Sequence, residues 1–117
     1  MAYIIKSLLP TSSLEFYKNV KDSFPQIALT ATNIVLCNTS GSAVTVFLSF
    51  FNAALGETFA TGAVLYGYSL AANSTLLVND RIIYLDDTVN AYAGTVDVVS
   101  LSMDIINDEG RYITPLP

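Results

Sequence analysis

The run Cys37-Asn38-Thr39-Ser40-Gly41-Ser42-Ala43-Val44-Thr45-Val46 sets the pattern of this chain. An apolar run enters it, a tight polar cluster interrupts it, and an alternating run leaves it. Alternation at a period of two puts one face of a strand on a core and the other outside. A Gly-containing polar break between two such runs predicts a β-hairpin. From Gln26 onward the same grammar is continuous. Ile27 to Asn38 predicts a strand with Ile34 and Leu36 on one face and Val35 and Cys37 on the other. Ala43 to Phe51 predicts the next, with Val44, Val46, Leu48 and Phe50 inward. Asn52 to Gly62 reads as a loop, with Gly56 and Gly62 as breakers. In the strand Ala63 to Leu70, Val64, Tyr66, Tyr68 and Leu70 share a face and Leu65 takes the other.

Beyond the turn Ala71-Ala72-Asn73 come Thr75 to Val78 and Arg81 to Leu85. They read as two short strands, or one bent strand broken at Asn79-Asp80. Asp86-Asp87 turns the chain into a short strand, Val89 to Ala93, ended by Gly94. Val96 to Ile106 is the longest alternating run, with Val99, Leu101, Met103 and Ile105 on one face, and Asn107 to Gly110 is a turn. No long window repeats at a period of 3.6, which excludes a helical bundle. The pattern predicts an all-β fold: an antiparallel β-sandwich, jelly-roll-like, of about eight short strands.

Before Gln26 the grammar lapses. Ser12 and Glu15 have the spacing of a capping box for a short helix. Phe16-Tyr17 favours extended structure instead, and extended or irregular chain is the reading taken. The layout is a leader or attachment arm over 1–25, a β-sandwich domain over 26–110 and a C-terminal tail over 111–117.

The 117 residues make one domain. Charged residues are only 13% against 52% hydrophobic, where soluble domains carry about 25% charged. Ser, Thr and Asn, or a partner chain, must cover such a surface. The net charge is −5, and Lys6, Lys18, Lys21, Arg81 and Arg111 are scattered. Phosphate binding needs clustered cations, so neither nucleic acid nor an anionic membrane is expected as a partner. Met1 to Lys6 shows no secretory signal, and no apolar run approaches the roughly 18 residues of a membrane helix. Synthesis in the cytosol is expected.

Catalytic chemistry has little to work with. There is one cysteine, Cys37, and no histidine. A nucleophile needs a base, so Cys37 reads as structural, and the serines lack a partner too. Zinc wants thiolates and imidazoles. Calcium wants oxygen ligands, and only Asp80 with Asp86-Asp87, and Asp104 with Asp108-Glu109, cluster in sequence. Neither has an EF-hand register, and Asp is a turn former. No paired-carboxylate spacing points to a glycosidase. Asn38-Thr39-Ser40 and Asn73-Ser74-Thr75 match the glycosylation pattern but read as turns. The expectation is a non-enzyme with no catalytic residue, cofactor or metal.

Aromatic residues are the remaining signal: seven Tyr and six Phe, with no Trp. Phe47 and Phe51 fall opposite the core face of their strand. Large apolar groups on both faces must be covered on both. A loop, the leader or the second sheet can cover them, or a subunit interface, where aromatics are enriched. The interface candidates are Phe47, Phe51 and Tyr66. A rival reading is a carbohydrate- or receptor-binding module at a fibre tip. There Tyr3, Tyr68, Tyr92 or Tyr112 would stack on sugars and Asp86 and Asp87 would fix hydroxyls.

The order CNTSGSAVTV, AANSTLLV, IIYLDDTVNAYA and GTVDVVSLSMDII, spanning Ile27 to Ile106, resembles small β-sandwich structural proteins of tailed bacteriophages. Asp86-Asp87-Thr88-Val89 departs from the commoner Gly-Asp-x-Ile, and the usual first strand is not recognisable in Leu9 to Pro25. The resemblance implies a virion component: a capsid decoration or head fibre, neck or tail accessory protein. It also implies a homo-oligomer, a trimer in many relatives, docked on other virion proteins.

Overall fold

The computed structural model describes residues 3–19 and 29–107, which form two β-sheets with the core between them. The strands are β1 (Tyr3–Leu8), β2 (Leu14–Lys18), β3 (Leu29–Asn38), β4 (Val44–Phe51), β5 (Ala63–Leu70), β6 (Thr75–Val78), β7 (Arg81–Ile83), β8 (Thr88–Ala93) and β9 (Val99–Asn107). One sheet runs β1-β9-β3-β6, with β7 also on β3; the other runs β2-β8-β4-β5. All pairings are antiparallel. Since β6 and β7 flank the same side of β3, they act as one interrupted strand. Eight strands wound in this order are a jelly roll, as the alternation predicts.

The inward faces carry the apolar positions read from the sequence. Leu101, Met103, Ile34, Leu36 and Ile83 from one sheet meet Val46, Leu48, Val89 and Phe50 from the other, all buried. Each such side chain contributes roughly 1.5–3 kcal/mol by leaving water. In β3 the inward series Leu29, Ala31 resumes at Ile34, Leu36. Asn33, at φ 54°, takes up the odd residue where the register with β9 shifts. This bulge lies beside the gap between β6 and β7, so one irregularity answers the other.

Three expectations change. Cys37 to Val46 is not a hairpin: β3 and β4 belong to opposite sheets, and residues 39–43 form an arch over the core. Alternation is the same in both cases, because each strand still has one face on the core. Asn38 holds the arch in place. It is fully buried, and its Nδ2 donates to the carbonyls of Ser42 (2.8 Å), Leu70 (3.1 Å) and Ala71 (3.2 Å). Its Oδ1 accepts from the Ser40 amide at 3.0 Å and hydroxyl at 2.8 Å. One side chain thus ties the β3–β4 arch to the β5–β6 arch.

Residues 3–19, expected as part of an arm outside the sandwich, supply a strand to each sheet. β1 pairs with β9 in unbroken register and β2 pairs with β8. Their exposed patterns hide this: at a sheet edge, alternation is diluted. Val20 to Pro25 and the tail 111–117 lie outside the described residues, as do Asp108, Glu109 and Tyr112.

The third change is in β5. Gly67, at φ 71°, forms a bulge, so that Phe47 pairs with Tyr66 while Val46 pairs with Tyr68. Directly paired residues share a face. Tyr66 therefore stands on the outer face with Phe47, and Tyr68 at a core-face register position on the edge. The same slip sets Leu65 opposite the buried Leu48, and a second shift at Val64 brings Ala63 opposite Ser49. The shared face of Tyr66 and Tyr68 read from strict alternation is lost to the Gly67 bulge.

Candidate functional site

The three interface candidates do come together, on the outer face of the β2-β8-β4-β5 sheet. Phe47 stacks on Tyr92 of β8 with ring centroids 4.2 Å apart and planes 4° apart. Tyr66 meets Phe47 edge-on at 5.5 Å. Phe59, from the β4–β5 connection, closes the group with Tyr92 at 5.3 Å, Phe51 at 6.2 Å and Tyr66 at 6.3 Å. Such pairs add about 0.5–1.5 kcal/mol each beyond area burial.

The cover is the chain's own loop. Residues 52–62 begin with a short 3-10 turn, Ala53–Leu55, capped by Asn52 and closed by Gly56 at φ 82°. The loop then folds back over its own sheet. Ser49 is fully buried although it faces outward, and its hydroxyl donates to the Phe59 carbonyl at 2.7 Å. At Gly62 an added Cβ would come within 2.4 Å of the Phe50 carbonyl oxygen, so only glycine permits this approach. Phe47 and Phe51 are consequently half-buried, and Tyr66 alone of the three stands well exposed, at 64%. Sequence periodicity could not find Phe59, which sits in a loop, nor its pairing with Tyr92.

The residues suggested for sugar binding are dispersed. Tyr3 packs on Tyr17 at 5.0 Å, on the side where β1 and β2 face each other. Tyr68 is on β5, and Tyr92 spends one ring face on Phe47. Asp86 and Asp87 occupy the β7–β8 corner as turn formers. Asp86 is at φ 70°, and Asp87 Oδ2 accepts from the Tyr84 amide at 2.9 Å. Asp87 borders a groove of about 340 Å³ shared with Glu57, Arg81 and Tyr84. Burial, with Glu57 and Asp86 nearby, raises its pKa against the lowering effect of the Tyr84 amide. Asp104 is engaged by Asn33 Nδ2 at 3.0 Å. Cys37 is half-exposed on the outer face of the other sheet, level with Thr75 and Ser100. Asn38 is too deeply engaged to be a glycan acceptor in the folded chain.

A second feature emerges at the sheet edges. Exposed large apolar side chains lie on β1 (Tyr3, Ile4, Leu8), β2 (Leu14), β5 (Tyr66, Tyr68), β6 (Leu77) and β7 (Ile82). Among the described residues the others, Leu55, Tyr84 and Val96, lie in connections, and none lies on the inner strands β3, β4, β8 or β9.

No family model matches the chain, and no curated protein matches it. A solved structure described as "Bacillus endospore appendages form a novel family of disulfide-linked pili" is similar, with a TM-score of 0.53 and 17% identity. The match covers 90% of this chain and 82% of that one. At that identity the likeness concerns the fold: a small β-sandwich, here from a bacterial spore appendage rather than a phage particle.

Proposed function

We propose that this chain is a non-enzymatic structural subunit that associates with copies of itself and docks on other proteins of a larger assembly. The carrying observation is the placement of exposed apolar side chains on the edge strands. Edges offer unpaired N–H and C=O groups, and natural monomers guard them with charge. Here β5 and β6 carry no charged residue at all. Such edges present uncharged apolar area to a neighbour, and an edge that is also regular can take a strand from it.

The assembly is a virion in the reading favoured by the sequence resemblance over Ile27 to Ile106, made in the host cytoplasm. The fold's likeness to a pilus subunit is compatible with the same brick-like role in an appendage. That pilus is described as disulfide-linked. A covalent chain of subunits needs at least two cysteines per subunit, and these 117 residues contain one. Non-covalent association is therefore the mode proposed.

Light scattering coupled to size exclusion tests the reading. Oligomers that persist in high salt are expected, because apolar contacts are not screened. A monodisperse monomer at about 100 µM, near the weak end of protein association, overturns it.

A further inference from the structure

The four sheet edges are not equally open. β5 carries two register shifts, one of them the Gly67 bulge. β2 has a shift between Glu15 and Tyr17, with Glu15 and Lys18 on it. β6 and β7 are four and three residues long, with a break between them. Bulges, charges and shortness are the devices that blunt an edge. β1 lacks them except for one lysine: six residues pair with β9 in unbroken register, from Tyr3 opposite Ile105 to Leu8 opposite Ser100. Among the described residues no strand pairs with its far side.

We propose that this edge takes β1 of a second copy of the chain, antiparallel about a two-fold axis, so that two sheets become one. The inference rests on the structural-subunit reading and names its first contact. A two-fold pairing must keep side chains on their own face, which limits the registers to those centred on a residue. Centring on Lys6 sets two like charges directly opposite, which is unfavourable. Centring on Ile4 shortens the described overlap to residues 3–5. Centring on Ile5 pairs residues 3–7 and sets Ile4 opposite the partner's Lys6.

That register completes a charge pairing. Ile4 is already level with Asp104 on β9. The partner's Lys6, Ile4 and Asp104 then lie in one row on the outer face, with strands about 4.8 Å apart. A lysine can lay its methylenes on Ile4 and carry its ammonium towards the Asp104 carboxylate. Ile4 is 58% exposed in one copy and gains cover. A five-residue strand pair alone falls short of the roughly 1,200 Å² of a standard interface. Tyr3, 52% exposed and itself within the paired residues 3–7, supplies further apolar area.

The test combines light scattering with cross-linking, in the full chain carrying Cys37→Ser. Ile4→Cys and Lys6→Cys variants are purified separately, mixed and oxidised. A disulfide dimer containing one of each is expected from the mixture, and none from either variant alone. Lys6→Glu is expected to weaken dimerisation about tenfold, as like charges meet across the seam. Adding Asp104→Lys is expected to restore it. A cross-link from one variant alone means another register and overturns the proposal. An oligomer that survives Lys6→Glu and gives no mixed cross-link overturns this seam and leaves the structural-subunit reading standing. A monomer under all conditions overturns both. Should the charge variants fail to fold, the cross-linking decides.

Discussion

Asn38 does the work of several residues with one amide. Its donors and acceptor satisfy groups from two arches that bury their backbone at one end of the sandwich. Replacing it by alanine leaves those groups unpaired away from water, at about 1–3 kcal/mol for each that cannot find a new partner. Asn38→Ala is expected to lower the denaturant midpoint by an amount equal to about 3 kcal/mol or more, with an unchanged slope. Asp87 is the other buried polar side chain with a separable role, 7% exposed at the β7–β8 corner. Its carboxyl holds a proton more tightly folded than unfolded. As pH rises past the ordinary value of 3.8, the unfolded chain releases its proton first. Stability from this group therefore falls between that value and the raised folded one, then levels. Asp87→Asn keeps an acceptor for the Tyr84 amide and removes the charge. The variant is expected to match or exceed the parent's stability at pH 7, and to lack this fall in a pH series of unfolding curves.

At the scale of elements, the loop 52–62 decides what the outer aromatic face can do. It converts Phe47 and Phe51 from free surface into a half-buried layer and leaves Tyr66 outside. Gly62 is the pinning point, pressed on the Phe50 carbonyl. Its amide donates to Thr58, and its carbonyl accepts from the Phe50 amide at 3.1 Å. Gly62→Ala is expected to cost about 1–3 kcal/mol through overpacking. It should also raise binding of a hydrophobic dye as the loop lifts from Phe47 and Tyr92. Unchanged stability and dye fluorescence would show that the loop is not held there. The β5 bulge matters equally: without Gly67 in the left-handed region, Tyr66 and Tyr68 would return to one face.

At the scale of the molecule, the jelly roll spends its central strands on a sealed core and leaves its variable chemistry to four edges and six inter-sheet connections. Fold stability and association should then separate by position. Phe47→Ser removes a stacked pair within the chain and is expected to cost about 1–3 kcal/mol of stability. Tyr66→Ser, at an exposed edge position, is expected to change stability by less than about 0.5 kcal/mol. It should still shift any self-association that uses the β5 side, measured by light scattering. Equal stability losses from both would mean that Tyr66 is as much a part of the fold as Phe47.

Period-two alternation was enough to place the inward residues of β4 and β9 and, past the Asn33 bulge, Ile34 and Leu36 of β3, because burial on one face is a local demand that each residue type answers alone. Breakers such as Asn79-Asp80, Asp86-Asp87 and Gly94 marked where strands end for the same reason. Which sheet a strand joins is not local. An arch and a hairpin use the same flanking alternation, and only the pairing of β3 with β9 and β6, and of β4 with β8 and β5, tells them apart. Edge strands such as β1 and β2 bury too little to show a pattern, and a bulge such as Gly67 reverses a face without altering composition. The aromatic layer was half legible: Phe47 and Phe51 announced a second apolar face. That Phe59 would cover them depended on how a loop distant from any periodicity returns across the sheet, which contacts in three dimensions alone decide.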